Sequence, residues 1–166
     1  ITLWPYITII ESLIHQIKYQ QRKKLGIFLG EVAGKLLIQE LKISGKEMII
    51  PIPLHKTRYR ERGYNQSILL AQGISQHLQL PIYSNVIIRI KNTKSQTTLT
   101  ALQRCTNLEN AFQVTGLQRI QHKTIFLVDD VSTTGATLNS CCHTLKRAGA
   151  EKIIGLAMAR PGFHDM

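Results

Sequence analysis

The sequence predicts an α/β fold: a mostly parallel, twisted sheet with helices on both faces. Segments with apolar residues at helical spacing alternate with short, continuous apolar runs, and such runs are typical of strands buried on both sides. The chain has 166 residues, 43% of them hydrophobic, which suits one domain with a single core and no disulfide staples. We therefore expect residues 1–166 to form one domain and, because the chain starts at Ile1, to be part of a longer parent chain.

Two helices, a strand and a third helix are predicted in the first half of the chain. Apolar side chains repeat at helical spacing over 10–17 and again over 28–37, up to Gly45. The continuous apolar run over 48–53 is predicted to be a buried strand whose end is set by proline. A polar, basic loop of about ten residues follows, and Asn65 then caps the third helix.

The second half is predicted to contain two strands around a long polar segment and then a βαβ unit. The polar segment over 91–110 lacks periodicity and is too long for an ordinary connection, which indicates a functional or mobile loop. The strands beside it are predicted at 83–90, after Pro81, and at 111–114. The βαβ unit comprises a strand over 124–129, a helix over 138–148 that ends at Gly149, and a strand over 153–159.

Two adjacent carboxylates, Asp129 and Asp130, end the most apolar of these strands. Ionised carboxylates there are costly unless they meet cations or hydrogen-bond donors, and in α/β sheets ligands bind beyond the carboxyl ends of the strands. Neighbouring strand residues point to opposite faces, so the two acids are not expected to share a proton. The pair therefore suits the binding of two hydroxyls, or of one hydroxyl and a water on a metal.

A loop of small and hydroxyl residues follows the acids and leads into a helix. Its members are Ser132, Thr133, Thr134, Gly135, Ala136 and Thr137. Backbone N–H and side-chain O–H groups can converge there at the positive end of a helix dipole, which favours a phosphate monoester. An N-capped helix after a strand is the simpler alternative, but it explains a hydroxyl residue at one position only. Diol-binding acids beside a phosphate loop together indicate a ribose 5-phosphate.

The net charge of +11 favours an anionic partner, such as a nucleotide, a phosphorylated sugar, a nucleic acid or an acidic membrane surface. The predicted loop over 55–63 carries Lys56, Arg58, Arg60 and Arg62, which suit a diphosphate; a solvated basic loop is the alternative. The cysteines and histidines lack the spacing of a disulfide framework or a metal site. No apolar run approaches the roughly 20 residues of a membrane helix, which favours a cytoplasmic protein without membrane insertion.

The segment over 128–137, Val-Asp-Asp-Val-Ser-Thr-Thr-Gly-Ala-Thr, resembles the phosphoribosyl diphosphate (PRPP) signature of type I phosphoribosyltransferases. The rest of the chain resembles the ComF family, competence-associated proteins related to those enzymes. The matching segments are 17–19, 51–54, 62–66, Gln96, Leu99, Arg104, Asn107 and 111–112. The resemblance implies the type I phosphoribosyltransferase fold. Family members usually carry an N-terminal four-cysteine zinc module, which this sequence lacks, so no zinc is expected in this chain.

The resemblance also implies roles for individual residues. Asp129 and Asp130 are implied to be the catalytic acids that hold the 2- and 3-hydroxyls of PRPP, and the loop over 132–137 is implied to hold its 5-phosphate. Residues implied to bind the diphosphate are Leu54, His55, Arg62 and Asn65. Residues implied to belong to a flexible loop that closes over PRPP are Lys94, Gln96, Arg104 and Asn107. Magnesium is expected to arrive with PRPP and to touch the protein only through Asp129 and Asp130.

The function expected from this resemblance is transfer of the phosphoribosyl group from PRPP to an acceptor, with inversion at C1 and release of diphosphate, in a process linked to DNA uptake. The acceptor stays open, because the loop offers no acid to act as a base near a purine. The alternative is a non-catalytic protein that senses PRPP or a nucleotide and binds single-stranded DNA or a competence helicase. A domain that chiefly docks a partner, and a homodimer, are left open as well.

Overall fold

The computed structural model describes residues 1–5, 7–92 and 110–161. Its strands are β1 (Thr2–Pro5), β2 (Met48–Pro51), β3 (Ile87–Arg89), β4 (Phe112–Val114), β5 (Thr124–Val131) and β6 (Lys152–Arg160). Its helices are α1 (Thr8–Tyr19), α2 (Lys23–Glu40), α3 (Lys56–Arg62), α4 (Gln66–Leu78), α5 (Leu117–Ile120) and α6 (Ala136–Arg147). Among the helices in these ranges, none combines the length and the apolar character that a membrane crossing requires.

Four strands form one parallel sheet in the order β1-β6-β5-β2. The register places Leu127 of β5 between Gly155 of β6 and Ile50 of β2. Because every pairing in this sheet is parallel, the carboxyl ends of its strands and the loops that follow them lie at one edge. The predicted α/β fold with a mostly parallel sheet is confirmed.

Strand β5 sends its side chains alternately into two apolar cores. Phe126 and Val128 belong to the core that is shared with α1, α2 and α4, whereas Ile125 and Leu127 belong to the core that is shared with α6. The sheet is therefore covered on both faces, as the continuous apolar strands predict. Because of the same alternation, the two carboxylate side chains at the end of β5 point toward opposite faces of the sheet.

Helices α2 and α4 cross in direct backbone contact at two glycines. A Cβ atom on Gly30 would lie 2.2 Å from the carbonyl oxygen of Leu70, and one on Gly73 would lie 2.1 Å from that of Ile27. Separations below 3.0 Å are not possible for a side-chain carbon without movement of the backbone. The two glycines therefore set how closely α4 packs on α2, and with it the position of the loop that enters α4.

The prediction of a basic loop over 55–63 is wrong for most of that segment, which is the helix α3. The His55 side chain caps the helix by accepting a hydrogen bond from the backbone N–H of Thr57 at 3.3 Å. The helix ends at Gly63, whose φ of +79° is a left-handed conformation that favours glycine. Arginine, lysine and glutamate are good helix formers, and Arg58 pairs with Glu61 at 3.1 Å along one face.

Smaller differences concern element boundaries. Strand β1 was not predicted, because four residues that include a proline carry no periodic signal. The strand expected over 83–90 is only the three-residue β3, which pairs antiparallel with β4 in a separate two-stranded sheet. Helix α6 begins at Ala136 rather than at residue 138, and the single turn α5 was not predicted.

Candidate functional site

The two acids lie at the carboxyl end of β5, where the sequence predicts them, and both are buried: Asp129 is 7% exposed and Asp130 is 6% exposed. Each carboxylate accepts a hydrogen bond from the backbone N–H of the next residue. Asp129 Oδ1 accepts from Asp130 at 2.9 Å, and Asp130 Oδ1 accepts from Val131 at 2.8 Å. These short-range bonds fix the orientation of both side chains at the end of the strand.

Lys18, in the last turn of α1, neutralises the second acid. Its Nζ lies 2.6 Å from Asp130 Oδ2, and its side chain is only 23% exposed. Burial alone would raise the pKa of Asp130, but the Lys18 ammonium outweighs burial and holds that pKa below its ordinary value. Burial alone would likewise lower the pKa of Lys18, but the Asp130 and Asp129 carboxylates outweigh it and the pKa is raised. Both partners are therefore charged at neutral pH.

Lys18 is not among the residues predicted to form the site, although the segment 17–19 is part of the family resemblance. Lys18 belongs to a run of cations on and after α1, and charge alone does not separate it from the others. Its position does: it lies four residues after the buried Ile14 and next to the buried Ile17, on the inward side of the helix. A lysine in that register is the signal that could have identified it.

Asp129 differs from Asp130 in its charged neighbours, because the ammonium of Lys18 forms its ion pair with Asp130. Burial and then the negative charge of Asp130 raise the pKa of Asp129 from 3.8 to about 7. The Ser67 hydroxyl, near the start of α4, donates to Asp129 Oδ1 at 3.5 Å. The pair thus combines one carboxylate that is charged throughout the physiological range with one that exchanges a proton near neutrality.

The loop after the acids is tied to the sheet at its start and enters α6 through a glycine. The backbone N–H of Ser132 donates to the carbonyl of Ala159 in β6 at 2.9 Å. Gly135 has a φ of +76°, a conformation unfavourable for other residues, and α6 begins directly after it. The loop lines a depression together with the first acid; the lining residues are Asp129, Val131, Ser132, Thr133, Gly135, Ala136, Thr137 and Leu138.

The six predicted phosphate-loop residues are therefore brought together, five of them around this depression. Thr134 is the exception; its Oγ1 instead accepts a hydrogen bond from the backbone N–H of Ala136 at 3.4 Å, as an N-capping side chain does. The depression combines backbone N–H groups at the start of a twelve-residue helix with hydroxyl side chains. The depression is shallow, with a volume of about 10 Å³, so these groups suit a phosphate bound over it rather than enclosed by it.

A cleft of about 380 Å³ lies between the loop after β2 and the strand β3. Leu54, His55 and Asn65, three of the four residues predicted to bind the diphosphate, line it together with Lys56 and Arg89. The His55 and Arg89 backbones form an isolated parallel bridge, which joins the two walls of the cleft. The cleft thus has the backbone of a strand-end loop on one side and two cations on its walls, which suits an anionic group.

Asn65 has a structural role that holds this loop against α4. Its side-chain Nδ2 donates to the carbonyl of Ile52 at 2.9 Å, and its Oδ1 accepts from the backbone N–H of Ser67 at 3.0 Å. The prediction that Asn65 is an N-cap is confirmed. Because Ile52 also donates its backbone N–H to the Val128 carbonyl at 2.9 Å, Asn65 links the cleft to the strand that carries the acids.

Arg62, the fourth residue predicted to bind the diphosphate, does not line this cleft. Its guanidinium lies over the Tyr19 ring, with 5.6 Å between Cζ and the ring centroid, and its Nη1 donates to Gln66 Oε1. It is close enough to Lys18 to oppose the ammonium charge there. The structure therefore places Arg62 with α1 rather than with Leu54 and His55.

The predicted flexible-loop residues Lys94, Gln96, Arg104 and Asn107 lie outside the described residues. The described residues on each side of that segment are paired: the Ile90 N–H donates to the Ala111 carbonyl at 2.8 Å. Ile90 also lines the cleft, so this hydrogen bond lies beside it.

The described residues contain no group of three or more His, Cys, Asp or Glu side chains that could hold a metal ion by themselves. The carboxylates of Asp129 and Asp130 are oxygen donors of the kind that Mg²⁺ prefers. Asp129 lines the depression, and the two adjacent carboxylates fit a magnesium ion whose other ligands come from a bound phosphate or water. The donor set therefore fits a magnesium ion that arrives with its ligand.

Comparison with known proteins gives a family match that includes the two acids and the loop after them. The family model described as "Phosphoribosyl transferase domain" matches residues 65–161. "Competence protein F" of Haemophilus influenzae is 36% identical over 160 residues, which cover 93% of this chain and 69% of that protein. "DNA utilization protein YhgH" of Escherichia coli K12 is 31% identical over 156 residues, which cover 92% of this chain and 68% of that protein.

Among solved structures, the glutamine PRPP amidotransferase of Bacillus subtilis is similar with a TM-score of 0.51 and 18% sequence identity. The similarity covers 78% of this chain but only 26% of that larger enzyme. At this level of identity the comparison bears on the fold alone, and it agrees with the predicted type I phosphoribosyltransferase architecture.

Proposed function

Because the chain belongs to the phosphoribosyl transferase domain family and, within it, to the ComF-like competence proteins, we propose that it binds PRPP with magnesium in the cytoplasm and transfers the phosphoribosyl group to an acceptor. The observation that carries the proposal is the position of two buried carboxylates, Asp129 and Asp130, directly before a small-residue loop at a helix start. Together, the two carboxylates and the loop suit a ligand in which a diol lies next to a phosphate.

In the proposed complex, Asp129 and Asp130 accept hydrogen bonds from the 2- and 3-hydroxyls of the ribose. The loop over 132–137 binds the 5-phosphate, and the cleft lined by Leu54 and His55 receives the diphosphate. The acceptor's lone pair then forms a bond to C1 while the C1–O bond breaks, and that electron pair leaves with the diphosphate. Any proton that the acceptor loses passes to water.

A magnesium ion bound with PRPP would neutralise negative charge on the diphosphate. Asp129 and Asp130 are the residues of this chain that would face it. The flexible-loop residues Lys94, Gln96, Arg104 and Asn107 are part of the same proposal: closing over the cleft would exclude water while positive charge develops on the ribose.

The test is a calorimetric titration of the protein with PRPP and magnesium. Asp129→Asn and Asp130→Asn each remove a charged acceptor of a hydroxyl hydrogen bond, and we expect each to weaken binding roughly tenfold to a hundredfold. Glu40→Gln, at the exposed end of α2, removes the same charge as a matched control and is expected to leave the affinity unchanged. Unchanged affinity in both aspartate variants would refute the site.

A second candidate function is binding of single-stranded DNA or of a competence helicase without turnover. The names of the relatives, which refer to competence and DNA utilization, and the net charge of +11 favour it. Two measurements distinguish the candidates: PRPP-dependent release of diphosphate with some acceptor supports the enzyme, whereas salt-dependent DNA binding without diphosphate release supports the second candidate.

A further inference from the structure

A group of aromatic and cationic side chains, of which His15 and Tyr19 are exposed and Arg62 is half-buried, lies next to Lys18 and does not line the cleft. Tyr19 is 66% exposed; its ring centroid lies 4.7 Å from that of His15, and the Arg62 guanidinium lies over it at 5.6 Å. We propose that this group, which we term the acceptor shelf (His15, Tyr19 and Arg62), binds the acceptor, and that the acceptor is a planar ring that carries a carboxylate. The inference rests on the proposed transfer from PRPP.

The shelf is adjacent to the position proposed for the ribose. Tyr19 follows Lys18 in α1, and Lys18 Nζ lies 2.6 Å from Asp130 Oδ2. Arg62 is close enough to Lys18 for the two positive charges to oppose each other. A ring bound at Tyr19 and Arg62 would therefore lie near Lys18, the partner of the acid that is proposed to hold a ribose hydroxyl.

The shelf and the cleft are separate, and α3 carries residues of both. Lys56 and Tyr59 line the cleft, whereas Arg62, one turn after Tyr59, contacts Tyr19; no shelf residue lines the cleft. Displacement with inversion requires the nucleophile and the leaving group on opposite faces of the sugar ring. With the diphosphate in the cleft, the proposal therefore requires that an acceptor on the shelf reaches C1 from the face opposite the leaving group.

The positive charge of Arg62 indicates which class of acceptor the shelf would bind. The described residues form two ion pairs between side chains, Lys18–Asp130 and Arg58–Glu61. Among these residues, no carboxylate therefore forms an ion pair with Arg62. Gln66, a buried residue, accepts a hydrogen bond from Arg62 Nη1 and anchors the guanidinium, which has further N–H groups to donate. A guanidinium fork matches a carboxylate, and an exposed aromatic ring matches a planar ring.

The test compares pairs of rings that differ by a carboxylate: orotate against uracil, and nicotinate against nicotinamide. Each is titrated into protein saturated with PRPP and magnesium, after the PRPP affinity of that protein has been measured, and diphosphate is followed in the same samples. We expect the carboxylated ring of at least one pair to bind about tenfold tighter than its neutral counterpart. Arg62→Gln should abolish this preference, and Tyr19→Leu should weaken binding of the ring about tenfold.

Two control variants make matched changes outside the shelf. Arg60→Gln removes a charge from an exposed position of α3, and Phe28→Leu removes an exposed aromatic ring from α2; both should retain the preference. Equal binding within both pairs, no binding of any ring, or a preference that survives Arg62→Gln would overturn the inference while PRPP still binds. Failure of PRPP to bind the unmodified protein would instead overturn the proposed function.

Discussion

Replacing Lys18 by methionine removes the cation that neutralises a buried carboxylate and keeps a side chain of similar length. At 2.6 Å and an effective dielectric constant of about 20, the attraction between Lys18 and Asp130 is about 6 kcal/mol. Desolvation of a largely buried ammonium offsets several kcal/mol of it. We therefore expect Lys18→Met to lower the free energy of unfolding by about 3 kcal/mol at pH 8.

The loss should depend on pH in a defined direction. In the unmodified protein the pKa of Asp130 is depressed, so its stabilising contribution is complete above the unfolded value near 3.8 and is lost only as the pH falls through the lower folded value. Without Lys18, burial raises the pKa of Asp130, and the folded state can take up a proton as the pH falls. The destabilisation should therefore be smaller at pH 5 than at pH 8.

Urea unfolding at the two pH values measures both effects. With a slope of about 2 kcal/mol/M, the midpoint at pH 8 should fall by about 1.5 M. Adding Asp130→Asn to Lys18→Met should recover most of the loss, because the carboxylate that Lys18 neutralised then carries no charge. Lys24→Met, at an exposed position of α2, is the control and should change stability by less than about 0.5 kcal/mol. Equal losses at both pH values, or a double variant with the summed loss, would refute the reasoning.

Two further predictions concern pH and packing. The pKa of Asp129 is raised from 3.8 to about 7, so PRPP affinity should rise with pH through 7 as the carboxylate ionises. Because only the folded state keeps this proton between about pH 4 and pH 7, the contribution of Asp129 to the free energy of unfolding should fall as the pH rises through that range. Calorimetry and urea unfolding across pH 4–9 measure the two effects, and a flat affinity profile would contradict the first. Gly73→Ala places a carbon 2.1 Å from the Ile27 carbonyl oxygen, so we expect a loss of about 3 kcal/mol and a melting temperature lower by about 6–12 °C. Gly45→Ala is the control: its Cβ meets no atom within 4 Å, and only the left-handed φ of +81° should cost about 1 kcal/mol.

The parts of the fold that the sequence predicts correctly are those in which one physical signal dominates. Continuous apolar runs predict β2, β5 and β6, since only strands covered on both faces need them. The acids and the phosphate loop follow from charge at the end of such a strand and from small residues before a helix. Asn65 is predicted as an N-cap because a side chain of its type can accept from the exposed N–H groups of a helix start.

The parts that fail depend on contacts between distant segments. Lys18 and Asp130 are 112 positions apart in the chain, and only folding shows that one neutralises the other. Strand β1 exists because β6 offers it an edge, with Thr2 opposite Ala157, and not because of its own residues. The charges of the segment that forms α3 suggest a loop, although its helix propensity and the glycine at its end predict a helix.

The hydrogen bond from the Ile90 N–H to the Ala111 carbonyl places the two ends of the connection between β3 and β4 next to each other. The free energy of closing a flexible loop grows only with the logarithm of its length, so doubling the number of residues in this connection would cost about 0.6 kcal/mol. Insertions or deletions between these anchors are therefore expected to be tolerated by the rest of the domain, so evolution or a protein engineer can change the length of this connection at little cost to folding.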